Sequence, residues 1–143
     1  MIDGLAASAA TLPFLAGRKR SMPRGSYLVI HNPWNTASGD ASAMRNNADM
    51  LEKARVDMVE TYMAATGLSR EAIASLMDAE TWLDAASAVQ GRWATEIANG
   101  QAILASLTPG QFRNAPKAAI RAASPDALMV GDYVAFTYNG GET

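Results

Sequence analysis

Between residues 41 and 66 the chain repeats apolar positions at spacings of three, four and seven: Met44, Ala48, Leu51, Met58, Tyr62 and Ala65. Arg45, Glu52, Lys53 and Asp57 fall between them. This is the period of an amphipathic helix and not of a strand, so a long helix over 41–66, closed by Gly67, is the fixed point of any fold. Ser69 is a good N-cap for a second helix running to Met77 or Asp78. A third short helix spans roughly 84–90 and ends at Gly91. "SYLVI" (26–30) is a short run of strand formers bounded by turn residues, which reads as a buried strand. "RWATEI" (92–97) reads as a closing strand. Strands alternating with helices make the expected class α/β.

The front of the chain is less regular. "LAASAATLPFLA" (5–16) reads as a short helix after Gly4 with Gly17 as its stop, and Pro13 implies that it begins late or kinks. Small residues surround Ser8, so the same stretch also suits a sharp turn that leaves a hydroxyl exposed. Arg18, Lys19, Arg20 and Arg24 form a local basic cluster, explained as well by a solvated turn as by a partner site. "NPWNTASGD" (32–40) is a loop or irregular extended segment.

Beyond Asn99 and Gly100 the pattern changes. "LTPGQFRNAPKAAIRAASPDA" is punctuated by three prolines and reads as a linker with a short helical piece. "LMVGDYVAFTYNGGET" reads as two strands joined at Gly-Asp, followed by a Gly-Gly turn. The expected division is a domain over 1–99, a linker over 100–125 and the start of a small β unit over 126–143.

Composition removes several function classes. With 143 residues and a formal charge of -2, nothing marks a nucleic-acid or acidic-membrane binder. There is no cysteine and one histidine, so thiolate chemistry, disulfides and multi-histidine zinc sites are excluded, and no metal or cofactor is expected. No apolar stretch approaches the ~20 residues that span a bilayer. A cytoplasmic location is the default expectation.

What remains is one serine at a small-residue turn (Ser8), one histidine directly after a strand (His31), and an acidic pair near a helix end (Asp78 and Glu80). A serine hydroxyl is a poor nucleophile until a base takes its proton, and the base must itself be oriented by an acid. Each residue alone has a plainer reading. A histidine after an apolar strand is more often structural, an Asp-x-Glu at a helix end is usually solvated, and Trp82 and Leu83 read as core.

Order and wording add more. "GLAASAAT", then "LVIHNP", then "TGLSREAIASLMDAETWLDAASAV" resembles the Clp-type serine peptidases, and among them the ClpP-like head maturation (prohead) proteases of phages. The likeness runs from about residue 2 to residue 98. It implies a ClpP/crotonase-like spiral β-α fold, followed by the linker and a partial small β unit. It also implies Ser8 as nucleophile, His31 as general base and Glu80 at the family's acid position, with Asp78 as the fallback acid. The N–H of Ala9 would be one arm of the oxyanion hole. The segment Asn32 to Gly39, with Pro33 and Trp34, would line the cleft and pair with substrate backbone. The helix over 41–66 matches the family's handle, which joins two stacked rings.

The departures shape the expectation further. Glutamate in place of aspartate lengthens the acid arm by one methylene, and Ala79 stands where the family often has arginine. The nucleophile falls at position 8, whereas the family carries strands and helices upstream of it, so only the C-terminal half of the fold is expected. The implied function is a serine endopeptidase that matures phage capsid or scaffold proteins, assembled as a homo-oligomeric ring. The alternative is a catalytically inactive fragment or structural copy that assembles without cleaving. A crotonase-type acyl-CoA enzyme of the same broad fold ranks below both. A plain helical interaction domain would account for 41–90 but not for the two motifs before it.

Overall fold

The computed structural model describes residues 1–2, 4–101, 112–117, 119, 128–130 and 133–135. Its elements run in the order β1 (Leu5–Ala7), a single 3-10 turn (Ser8–Ala10), α1 (Thr11–Leu15), β2 (Ser21–Arg24), β3 (Tyr27–Ile30), α2 (Ala41–Thr66), α3 (Arg70–Asp78), β4 (Thr81–Asp84), α4 (Ala85–Gln90), β5 (Glu96–Gln101), β6 (Leu128–Val130) and β7 (Tyr133–Ala135). The mixed α/β class stands.

The helices begin and end where their chemistry directs. Asp40 caps α2 by accepting the Ala43 N–H, and Gly67 closes it at φ 75°, a left-handed position that glycine takes without strain. Ser69 caps α3 through the Ala72 N–H, and Asp84 caps α4 through the Ser87 N–H. The third helix therefore starts at Ala85, one residue after its cap.

Three strands form the sheet that matters for the site, in the order β1-β3-β4. β1 runs parallel to β3 with Ala7 opposite Val29, and β4 runs antiparallel to β3 with Thr81 opposite Ile30. A second, two-stranded sheet pairs β2 with β5 in parallel. Leu28, Val29 and Ile30 are fully buried, as an apolar run covered on both faces should be. Leu28 and Ile30 meet Met58, Val59, Tyr62, Ile73, Met77 and Trp93 in the main core.

Four expectations need correction. Residues 5–7 are strand, not helix, because Ala6 is buried in the core beside β3 and sheet pairing overrides the helix propensity of alanine. β2 was not expected in the basic turn. Pro23 lies in it, and Arg20 holds the adjoining chain by donating to the carbonyls of Trp93 and Arg92, both at 2.9 Å. The closing strand starts at Glu96 and not at Arg92. Thr81–Asp84 is a strand in its own right, where only a helix end and core residues were foreseen.

The long helix also departs from its pattern. Only its last three turns are buried, through Met58, Val59, Tyr62 and Thr66, while Met44, Met50 and Val56 are exposed. The paired strands β6 and β7 lie where two strands around Gly-Asp were expected. The expected linker helix falls largely, and the Gly-Gly turn entirely, outside the described residues.

Candidate active site

Register places the three predicted residues at one end of one sheet, with no hydrogen bond between any two of them among the described residues. Ser8 is the residue after β1, His31 the residue after β3, and Glu80 the residue before β4. Because β1 and β3 are parallel and β4 is antiparallel to both, all three strand boundaries fall at the same end of one sheet. Asp78, by contrast, is the last residue of α3.

Ser8 sits on a strained turn. Its φ is 53°, in the left-handed region that a residue with a Cβ avoids, and the chain passes there from strand to 3-10 turn to helix. Such strain costs about 1–3 kcal/mol and survives only where surrounding contacts over-determine it. They do here. The Thr11 hydroxyl donates to the Ser8 carbonyl at 2.6 Å, so the Tyr62 hydroxyl, also 2.6 Å from Thr11 Oγ1, must be the donor in that second bond. Thr11 and Tyr62 are both fully buried, and Trp93 packs edge-on against the Tyr62 ring at 5.3 Å. Burial pushes the Tyr62 phenol above its ordinary range, against a smaller opposing pull from Thr11. Tyr62 was read only as an apolar position of the long helix; a hydroxyl on a buried stripe was the signal that it has a polar task.

His31 is buried, and its Nδ1 lies 2.7 Å from the main-chain oxygen of Asn32. A carbonyl can only accept, so Nδ1 carries a hydrogen, and in the neutral ring Nε2 keeps the lone pair. Among the described residues, Nε2 is buried without a hydrogen-bond partner. Asn32 is itself anchored: its amide donates to Asp78 at 2.8 Å and accepts from Arg55 Nε at 3.0 Å. That network accounts for Asp78, which lies 62% exposed and engages Asn32 and Arg55. Of the expected cleft residues, Asn32 thus has a structural role. Pro33 is half-buried, while Trp34 and Gly39 are exposed. Asn35 ties this segment to α2 through two bonds with Asn47.

Glu80 is buried at φ 50°, so two of the three non-glycine residues with positive φ among the described residues occupy predicted catalytic positions. Among the described residues, however, its hydrogen bond runs to a different part of the chain than expected. Oε1 accepts the Asn114 N–H at 2.7 Å, Arg113 Nε is 3.7 Å from Oε2, and the Asn114 side chain donates to the Ala79 carbonyl. Burial pushes the Glu80 carboxyl up, but the main-chain N–H groups of Arg113 and Asn114 and the Arg113 charge outweigh it and hold the carboxyl below the usual glutamate range. The Trp82 indole N–H, which has no partner at hydrogen-bonding distance among the described residues, pulls in the same direction, less than the two main-chain N–H groups and more than the Arg113 charge. No sequence signal pointed to Asn114, which stands in a proline-punctuated stretch.

An α/β sheet that presents a strained serine, a histidine and an acid at one end is a framework on which acyl-transfer sites are built. Residues 1–101 match the family described as Clp protease. The ATP-dependent Clp protease proteolytic subunit 2 of Treponema denticola is 34% identical over 101 residues, covering 68% of this chain and 50% of that protein. Proteolytic subunit 1 of Chlamydia trachomatis serovar D is 30% identical over 95 residues, covering 63% and 49%. Proteolytic subunit 2 of Treponema pallidum is 35% identical over 89 residues, covering 61% and 45%. The chain belongs to the Clp protease family, and it spans about half the length of the curated relatives it matches.

Proposed function

We propose that the chain carries the catalytic centre of a Clp-type serine peptidase acting on protein or peptide substrates. Ser8 Oγ attacks the scissile carbonyl, and His31 Nε2 takes its proton and passes it to the leaving amine. Water then hydrolyses the acyl-enzyme by the same route in reverse. The Ala9 N–H, next to the nucleophile, stabilises the developing oxyanion, a contact whose loss costs ~10²–10³ in rate. Glu80 is the acid that stabilises the imidazolium when it pairs with His31. The segment from Asn32 to Gly39, with Pro33 and exposed Trp34, receives the substrate backbone. The observation that carries this reading is Ser8 at φ 53° on a strand-to-helix turn, one strand away from His31.

The finer expectations follow as parts of the proposal. The spiral β-α fold is supported by the family match. Ring assembly is supported by the apolar residues Met44, Met50 and Val56, which α2 leaves exposed and which suit a second copy. A role on phage capsid or scaffold proteins has no support in the relatives' names, which are those of ATP-dependent Clp proteolytic subunits, so substrates are proposed only at the level of polypeptide.

The second reading, an inactive copy, is favoured by one observation: Glu80 bonds to Asn114 rather than to His31. Labelling with a fluorophosphonate probe separates the two. Labelling of the wild-type chain that vanishes in Ser8→Ala supports the peptidase. A folded sample that never labels removes that function from this chain.

A further inference from the structure

The surface in which Glu80 is buried is covered by a segment far downstream of it. Phe112 stands edge-on to the His31 ring, with centroids 5.7 Å apart and planes at 86°, and edge-on to Trp82 at 5.2 Å and 82°. Asn114 and Arg113 hold the two oxygens of Glu80. Ala119, fully buried, packs in a small cluster with Leu5, Tyr27, Trp82 and Phe112. Leu5 and Tyr27 face each other across β1 and β3, so the segment reaches from the acid end of the sheet to its opposite end.

We propose that the face formed by His31, Glu80 and Trp82 is a docking site for the chain's own segment carrying Phe112, Arg113, Asn114 and Ala119, and that the docked form is the resting state of the site. Docked, the segment takes the carboxylate that would orient His31, and the Asn32 carbonyl accepts the Nδ1 hydrogen in its place. Undocked, Glu80 accepts that hydrogen and Asn114 returns to water. Neither form strands the carboxylate or the Nδ1 hydrogen, so these polar groups do not oppose exchange, and the packing of Phe112 and Ala119 favours the docked form. A carbonyl is a neutral dipole and stabilises an imidazolium less well than a carboxylate does. Removing the acid from a serine-histidine-acid set costs about 10⁴ in rate. The docked form is therefore slow. This catalytic consequence rests on the peptidase reading above; the docking and the change of partner do not.

His31 is the chain's one histidine, so its ring signals in nitrogen-15 NMR of the full chain need no assignment. In the wild type, Glu80→Gln should leave the His31 Nδ1–H signal in place. Phe112→Ala should move that signal downfield, as a charged acceptor replaces a neutral one, and adding Glu80→Gln should reverse the move. Asn114→Pro deletes the donating N–H without opening a cavity and should act like Phe112→Ala, which guards against a folding artefact in either variant. Fluorophosphonate labelling of Ser8 should rise about tenfold or more in both variants and fall back with Glu80→Gln. A wild-type Nδ1–H signal that already responds to Glu80→Gln overturns the proposal, as does a signal unmoved by both segment variants. If the ring signals behave as expected while no variant labels, the docking stands and the peptidase function fails.

Discussion

The Ser8 corner and the Glu80 corner lie at one end of the same sheet, and both place a non-glycine residue at positive φ, but they are braced in different ways. Ser8 is held from beneath by Thr11 and Tyr62, two fully buried residues of the main core. Glu80 is held from above by Arg113 and Asn114, two exposed residues of a segment outside that core. The first brace can fail only if the core is disturbed. The second can be released while the core stays intact, because its polar groups have water as an alternative partner. Strain at a site therefore does not say how permanent the site's geometry is; the burial of whatever opposes the strain does.

The comparison breaks most forcefully at Tyr62. Tyr62→Ala should destabilise the protein by about 3–5 kcal/mol, the cost of removing a large buried aromatic and its contact with Trp93. Urea unfolding measures it. Thr11→Val is the sharper change, since it strands the buried Tyr62 hydroxyl and frees the Ser8 carbonyl. It should cost about 1–3 kcal/mol and lower the labelling rate of Ser8. Stability lost with labelling unchanged would show that the hydroxyl pair supports the core and not the turn.

At the Glu80 corner the expected effect is smaller and local. Glu80→Gln removes the charge but keeps an acceptor, and should cost about 1 kcal/mol. It should speed hydrogen exchange at the Asn114 amide while the amides of buried α3 residues such as Ile73 keep their protection. Acid should have the same result. The folded carboxyl sits below its unfolded value, so the docked segment gains stability above about pH 4.3 and loses it as pH falls through the lower folded value. The charged group facing Glu80 is Arg113, with His31 reached through Phe112. Asn114 exchange that stays constant from neutral pH down to about pH 3 would show that Glu80 does not hold the segment.

These two corners were not equally legible. The helices α2 and α3 could be read because period and caps are local properties, and Ser8, His31 and Glu80 were singled out only by wording that resembles the family. The strands β1, β2 and β4 were hidden for a shared reason: at three or four residues each, they are defined by partners distant in sequence, as Leu28 opposite Leu83 illustrates. Alanines in β1 even argue for helix until β3 lies beside them. The apolar positions of α2 were visible, but which of its turns meet the core was not, since that depends on where the sheet ends. Phe112 and Asn114 gave no signal at all. Their role comes from a surface assembled by β3 and β4, and no local pattern records it.

The smallest expected effect belongs to Asp78, and it sharpens the comparison by isolating His31. Asp78 and Arg55 grip the Asn32 side chain, and the Asn32 carbonyl fixes the His31 tautomer. Arg55 and Asp78 are partly or largely exposed, at 29% and 62%, and their ions are 3.7 Å apart, so their direct attraction is worth at most about 0.5 kcal/mol. Asp78→Asn keeps an oxygen for the Asn32 amide and should change global stability by no more than that amount. If Asp78 were the catalytic acid, the same substitution would lower Ser8 labelling by orders of magnitude. If it only steadies Asn32, labelling should shift by about twofold or less, and Asp78→Ala, which deletes the acceptor, should do more harm than Asp78→Asn. That ordering distinguishes a hydrogen-bond anchor from a charge, and so a positioning residue from an acid.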